Sequence, residues 1–213
     1  MATKEMYGYG SVFRVLKQHR IPKRYPADVF LPDGSGFSTD FLHVRAEIAE
    51  QSGYTVLTGV FIGSLAKWIG SRRCLETMGG CGSLSAGLQQ AGVNVLCTDS
   101  YKWTDGCPKW FASPWTIVER LDAVEAIKVY GATTDIVICS MPEPNEDCYQ
   151  ALLEMREQNP AAIMLYIGEP RGGANANDAF FAVAKEVVDE SFAPVVSSYK
   201  TACFLHERPM LFC

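Results

Sequence analysis

Three glycines and the acidic residue that follows them form a pattern typical of a ligand-binding turn. Gly79, Gly80 and Gly82 fall within four residues, directly after a short apolar run. Glycine adopts left-handed backbone and allows close approach, so this turn could open the N–H groups of a following helix to a ligand. Asp99 comes 17 residues after Gly82, and its carboxylate could accept hydrogen bonds from both hydroxyls of a ribose. The spacing indicates a site for a nucleoside-like ligand.

The residues around these groups predict the elements that position them. Residues 83–90 carry Leu84 and Leu88 four positions apart, which is a helical spacing, and 93–98 is a second apolar run. The predicted order is therefore strand, glycine turn, helix, strand and acid. A dinucleotide site has a related plan, but Met78 stands where its G-x-G-x-x-G motif has the first glycine, which disfavours pyrophosphate.

This stretch resembles motif I of the class I S-adenosylmethionine-dependent methyltransferases, which has an acid, a G-x-G turn and a second acid. The resemblance implies S-adenosylmethionine as the cofactor. It also implies a set of cofactor-binding residues: Glu76, Met78, Gly79, Gly80, Gly82, Asp99 and Ser100. Glycine turns of this kind also occur as plain packing turns, and that alternative stays open.

Composition limits the other classes of function. The chain has 213 residues, 48% of them hydrophobic, and a net charge of −5, so we expect a folded core. Only 17–24 is locally basic, and a solvated surface segment explains it as well as a binding patch. There is thus no strong nucleic-acid signature. No apolar run is long enough for a membrane span.

The cysteines predict a reduced, cytoplasmic protein. Eight are present, none forms a C-x-x-C pair, and only three histidines accompany them. We therefore expect no zinc site. Cysteines inside predicted strands act as small apolar residues.

The first 50 residues predict a separate arm. Residues 20–40 are broken by three prolines, with short helices predicted at 11–19 and 41–50. Residues 51–213 would form the α/β domain, opening with a helix in 54–69. The resemblance implies that Tyr54 and Thr58 of this helix are candidate cofactor contacts, although packing alone would explain them. In the resembled family such an arm often covers the cofactor or builds the acceptor pocket. A surface arm packed on the core is the plainer alternative.

The region after Asp99 offers candidates for binding an adenine ring. Trp103 lies in an aromatic-rich loop and could stack on the ring, although a loop that packs under its own aromatics is an equal alternative. Asp122 and Ala123 stand where the resembled family ends its third strand, and an acid there commonly takes the adenine amino group. Asp122 is equally well placed to cap the next helix.

A second motif follows a buried strand predicted at 135–139. Ser140-Met141-Pro142-Glu143 resembles motif IV of the amino-methyltransferases, [DNS]-P-P-[YFW]. Met141 is inserted, Glu143 replaces the second proline and no aromatic follows. A proline-terminated strand explains these residues equally well. The resemblance implies that Ser140, which could also touch the cofactor, and the backbone near Met141 orient an acceptor nitrogen or oxygen.

The strand predicted at 161–167 also ends in glycine and charge. Glu169 and Arg171 follow it in G-E-P-R-G-G and could bind substrate or pair with each other. Either Glu143 or Glu169 could remove a proton from the acceptor. A helix is predicted at 179–190, and 195–199 and 209–212 are predicted to close the chain as an antiparallel hairpin.

Together the resemblance implies a three-layer α/β sandwich with a mostly parallel, seven-stranded Rossmann-like sheet. The implied function is methyl transfer to an unidentified nitrogen or oxygen acceptor. Three alternatives remain: an inactive methyltransferase-like module that binds cofactor or a partner chain, a nicotinamide-dependent oxidoreductase, and another use of S-adenosylmethionine such as its cleavage. A homo-oligomer or a protein partner is compatible with the sequence.

Overall fold

The computed structural model describes residues 9–25, 39–102, 113–201 and 206–213. Trp103 lies outside these ranges, as does most of the aromatic-rich loop. Within the described ranges, no helix combines the length and apolar character that crossing a bilayer requires.

A five-stranded sheet forms the centre of the fold. The strands are β1 (Cys74–Thr77), β2 (Val95–Cys97), β3 (Ile136–Ser140), β4 (Ile163–Gly168) and β5 (Arg208–Phe212). They lie side by side in the order β2-β1-β3-β4-β5. The first four strands are mutually parallel, and β5 pairs antiparallel with β4. The predicted α/β class with a mostly parallel sheet and an antiparallel C-terminal strand is confirmed.

Helices cover both faces of the sheet. The described helices are α1 (Tyr9–Leu16), α2 (Thr39–Ser52), α3 (Gly59–Ile69), α4 (Ser83–Gln90), α5 (Ala123–Tyr130), α6 (Asp147–Gln158), α7 (Asp178–Val183) and α8 (Ala193–Ser198). On one face lie α3, α4 and α8, and on the other lie α5, α6 and α7. Short 3₁₀ turns follow α5 and precede α8, at Gly131–Thr133 and Glu190–Phe192.

Alternation along the strands divides the core into two layers. Ile136 and Ile138 of β3 face α3 and α4, whereas the alternate residues Val137 and Cys139 face α5 and α6. All four are fully buried. A parallel strand that is covered on both sides must be apolar at every position, because its side chains point alternately to the two faces. The continuous apolar run in the sequence thus follows from the three-layer arrangement.

The predicted count of seven strands is wrong for the described residues. Where the two outer strands would stand, the chain makes only isolated bridges, Thr98 with Glu119 beside β2 and Glu186 with Phe212 beside β5. Ile117 and Val188, near these bridges, are 85% and 91% exposed. Because these flanking side chains bury no apolar surface against the sheet, little favours longer pairing there.

The predicted C-terminal hairpin is also wrong in one arm. Residues 195–199 fall in and just after α8, with Pro194 in its first turn, where a missing N–H removes no helical hydrogen bond. Tyr199 packs edge-on against Phe61 of α3 at 5.0 Å between ring centroids. The outer neighbour of β5 is instead the segment after α7, because the Val187 N–H donates to the Leu211 carbonyl at 2.8 Å. The helix predicted at 179–190 correspondingly ends at Val183.

Replacing Phe180 by alanine tests this packing. The ring is fully buried and stacks on Tyr166, with centroids 5.4 Å apart. We expect Phe180→Ala to lower the free energy of unfolding by about 3–5 kcal/mol, since it removes a buried aromatic side chain and leaves a cavity. Val188→Ala, on an exposed side chain, should change it by less than about 0.5 kcal/mol. Urea denaturation measures both, and equal effects would contradict the described burial.

Candidate functional site

The carboxyl ends of β1, β2, β3 and β4 bring the candidate residues to one edge of the sheet. Ligands of open α/β sheets bind at this edge. Four non-glycine residues in the loops there have left-handed backbone: Met78 after β1, Tyr101 after β2, Met141 after β3 and Ala176 after β4, with φ of 57°, 59°, 52° and 52°. Such a conformation is unfavourable by about 1 kcal/mol or more for each residue, and strain of this kind concentrates at functional sites.

Two different physical demands account for the glycine turn. Gly80 and Gly82 have φ of 57° and 72°, so their backbone conformation favours glycine. Gly79 is required by packing, because a Cβ there would lie 2.4 Å from the Cys97 sulfur. Gly82 is the N-cap of α4, and the turn therefore delivers the chain to the N-terminus of that helix.

Asp99 is tied directly to the glycine turn. Its Oδ2 accepts a hydrogen bond from the Gly80 N–H at 2.7 Å, and its Oδ1 accepts one from the Tyr101 N–H at 2.6 Å. Asp99 and the glycine turn that the sequence singled out are therefore in direct contact. A carboxylate accepts hydrogen bonds, which is the chemistry that ligand hydroxyl groups require. Ser100, beside it, accepts from the Lys102 N–H at 3.3 Å.

Glu76 lies beneath the turn and holds α4 to β1. Its Oε2 accepts from the Ser85 N–H at 3.0 Å and from the Ser85 hydroxyl, and the Cys97 thiol donates to it at 3.6 Å. Burial raises the pKa of Glu76 to about 7, against the opposing effect of the Ser85 hydrogen bonds. Ser85, which sequence reasoning missed, thus organises the helix N-terminus. A serine near the start of the predicted helix was the available signal.

Ser140 ends β3 and is hydrogen-bonded to the Thr55 hydroxyl. Thr55 is buried in the segment before α3, so this segment reaches the same edge of the sheet. Thr58, which the sequence suggested as a cofactor contact, caps α3 by accepting a hydrogen bond from the Phe61 N–H at 3.1 Å. The next residue, Met141, donates its N–H to the Ile167 carbonyl at 2.7 Å, which continues the pairing with β4.

Asn175 joins the loop after β3 to the loop after β4, which are the two candidate acceptor loops. Its side-chain NH₂ donates to the Pro142 carbonyl at 3.1 Å, and its carbonyl oxygen accepts from the Glu169 N–H at 3.1 Å. The side chain is buried. Sequence reasoning missed this residue, although a polar residue in a glycine-rich loop after a strand was a usable signal.

Glu169 serves its own loop. Its Oε2 accepts from the Ala174 N–H at 2.7 Å, and its Oε1 accepts from the His206 N–H at 3.2 Å. A Cβ at Gly173 would lie 2.3 Å from the Glu169 Cβ, so the second glycine of the G-G pair makes room for the glutamate. Arg171 pairs with the exposed Asp178 at 2.9 Å, and the suggested pair between Glu169 and Arg171 is not formed.

The remaining candidates are Glu143, Asp122 and Ala123. Glu143 is exposed and accepts from the Asn145 side chain at 3.3 Å. Asp122 caps α5 by accepting from the Glu125 N–H at 2.9 Å, while the Glu125 carboxylate accepts from the Asp122 N–H. Ala123 is the first residue of that helix. Within the described ranges, no three His, Cys, Asp or Glu side chains are grouped so as to hold a metal ion.

Comparison with known proteins gives likeness in structure alone. No protein-family model matches the sequence, and no curated protein matches it. Magnesium protoporphyrin IX methyltransferase from Synechocystis PCC 6803, solved with bound S-adenosylmethionine, aligns at a TM-score of 0.48 and 14% identity over 84% of this chain and 86% of that one. Human N-acetylserotonin methyltransferase aligns at 0.47 and 11%, over 97% of this chain and 66% of that one. At these values the likenesses establish neither the activity nor the ligand of this chain.

Glu76→Gln tests the buried carboxyl through pH. Since burial raises the pKa of Glu76 to about 7 from its ordinary value of 4.5, the unfolded chain ionises first as pH rises, and the folded state loses stability between these values. The variant lacks this loss. We expect the wild type to lose roughly 3 kcal/mol relative to the variant between pH 4.5 and 7. Denaturant titrations across that range measure it. Glu157→Gln, on the exposed face of α6, is the control, and parallel pH curves for wild type and Glu76→Gln would refute the buried environment.

Asn175→Ala tests the connection between the two loops. The change removes the acceptor of the buried Glu169 N–H and the donor to Pro142. We expect the free energy of unfolding to fall by about 1–3 kcal/mol, because a buried group is left without its partner. Asn94→Ala, at an exposed position, should be nearly neutral. Chemical denaturation compares the two, and a neutral Asn175→Ala would contradict the described contacts.

Proposed function

We propose that this chain is an S-adenosylmethionine-dependent methyltransferase of the class I type that acts on a nitrogen or oxygen acceptor. The observation that carries the proposal is the contact of the Asp99 carboxylate with the Gly80 N–H at 2.7 Å. It joins a ribose-binding acid to a glycine turn at the carboxyl edge of a mostly parallel sheet. The motif I resemblance of these same residues supports the choice of cofactor.

Bound S-adenosylmethionine would supply an electrophilic methyl group on a sulfonium sulfur. Asp99 would accept hydrogen bonds from the ribose hydroxyls, and the turn at Gly80 would let the ligand approach the backbone. Ser140 and the backbone of Met141 would orient the acceptor. Alignment of two reactants is the main contribution that such a site makes to a displacement reaction.

Glu143 is the better of the two candidate groups for accepting a proton. It is exposed beside the acceptor loop. Both oxygens of Glu169, by contrast, accept backbone hydrogen bonds that hold the loop in place. Glu169 would therefore position the loop after β4, and the exposed Glu143 would accept the proton.

A non-catalytic methyltransferase-like binding module is the second candidate. The observation that favours it is the use of acceptor-loop groups within the protein. The Pro142 carbonyl accepts from Asn175 and, at 3.4 Å, from the Ala176 N–H, and Ser140 is bonded to Thr55. A module that kept cofactor binding and lost transfer would show an intact Asp99 beside such an internally bonded acceptor loop.

Calorimetric titration tests the cofactor. We expect micromolar binding of S-adenosylmethionine or S-adenosylhomocysteine, about −8 kcal/mol, and no binding of NAD. Asp99→Ala should abolish it, because the ribose hydroxyls lose their acceptor. Asp99→Asn keeps the shape and should weaken binding at least about tenfold. Glu157→Gln controls for the loss of one negative charge.

The outcomes separate the candidates. Circular dichroism must show that the Asp99 variants are folded. No binding of either ligand by the folded wild type would overturn both the transferase and the cofactor-binding module. Binding followed by S-adenosylhomocysteine formation only in the presence of an acceptor pool supports the transferase, and binding with no product from any pool supports the module.

A further inference from the structure

A basic cleft of about 880 Å³ lies between α1 and the start of α3. Arg20, Lys23 and Arg24 line it from the segment that follows α1. This segment is fixed to the domain, because the Gly59 N–H donates to the Pro22 carbonyl at 2.9 Å. The cleft is therefore a built part of the surface.

Charge is strongly segregated at this surface. The chain carries a net charge of −5, yet residues 6–27 contain no Asp or Glu and five Lys or Arg. These five, Arg14, Lys17, Arg20, Lys23 and Arg24, are all exposed. Among the ion pairs of the described residues, none involves any of them. A surface of this kind attracts an anionic partner to an otherwise acidic protein.

The floor of the cleft decides which anionic partner fits. It is aliphatic, with Val12, Val15, Ile21 and Val60 among its lining residues. Val60 is 41% exposed although it belongs to α3. Among the lining residues that the structure describes, no side chain is aromatic, whereas single-stranded nucleic acid is bound by basic grooves with aromatic platforms for its bases. An aliphatic floor inside a basic rim instead matches a peptide that carries both carboxylates and aliphatic side chains.

We propose that this cleft is a docking site for an acidic segment of a partner protein, with carboxylates at Arg20, Lys23 and Arg24 and aliphatic side chains against the valines. The site goes beyond methyl transfer and does not need a bound cofactor. The short segment before α3 carries Thr55, which is bonded to Ser140 at the carboxyl edge of the sheet. At the start of the segment that follows α1, the His19 ring stacks on the Trp115 ring, with centroids 5.4 Å apart. The backbone N–H of Trp115 donates to the Cys81 carbonyl in the glycine turn. A partner held in the cleft is therefore docked on a segment that contacts the candidate site.

Fluorescence anisotropy of labelled peptides tests the proposal. The probe is a peptide of alternating Glu and Leu, compared with a Lys and Leu peptide, a Glu and Ser peptide, and a single-stranded oligonucleotide. We expect only the Glu and Leu peptide to bind at physiological salt. Its affinity should fall at least about tenfold in Arg20→Glu/Lys23→Glu, because like charges then face each other.

Two further variants keep the test specific. Lys128→Glu/Lys185→Glu makes the same charge change at exposed positions that do not line the cleft and should bind like the wild type. Val60→Asp should weaken the Glu and Leu peptide through loss of apolar contact. Absence of peptide binding by the wild type, equal loss in both charge-reversal variants, or tighter binding of the oligonucleotide would each overturn the proposal.

Discussion

Buried carboxylates that accept backbone hydrogen bonds hold the carboxyl edge of this sheet together. Glycine turns and loops leave N–H groups that have no partner within a regular element, and a buried N–H without an acceptor is strongly unfavourable. Asp99 accepts from Gly80, Glu76 from Ser85, and Glu169 from Ala174. Each of these carboxylates thereby fixes the path of the chain as it leaves or approaches a parallel strand.

These acidic residues therefore have a structural role in the fold, whether or not they also contact a ligand. Glu169 shows this most clearly, since both of its carboxylate oxygens accept backbone hydrogen bonds and a Cβ at Gly173 would collide with its side chain. Glu76 is buried beneath the turn, where it would shape a ligand site without touching the ligand. Asp99 fixes the glycine turn in the same way, and under the proposed function it would also bind a ribose.

Much of the architecture could be predicted from the sequence, because buried parallel strands and glycine turns have local signatures. The apolar run of β3 and the capping position of Asp122 are examples. The strand predicted at 195–199 failed because burial of Tyr199 against Phe61 outweighed the β-propensity of its valines. The contacts of Ser140 with Thr55 and of Pro142 with Asn175 join residues 85 and 33 positions apart. They depend on how loops converge in space, which no local pattern encodes, so the candidate residues were predictable and their partners were not.

The single bridges at the two outer positions of the sheet imply a gradient of local stability. β3 has a full strand on each side, whereas Glu119 and Glu186 are joined to the sheet by short pairings. Segments held by few backbone hydrogen bonds open at a lower free energy than central strands. Opening at Glu119 would release the Asp99 N–H, which donates to the Glu119 carbonyl at 3.0 Å. Asp99, just beyond β2, is therefore coupled to an edge of the sheet that is held by short pairing.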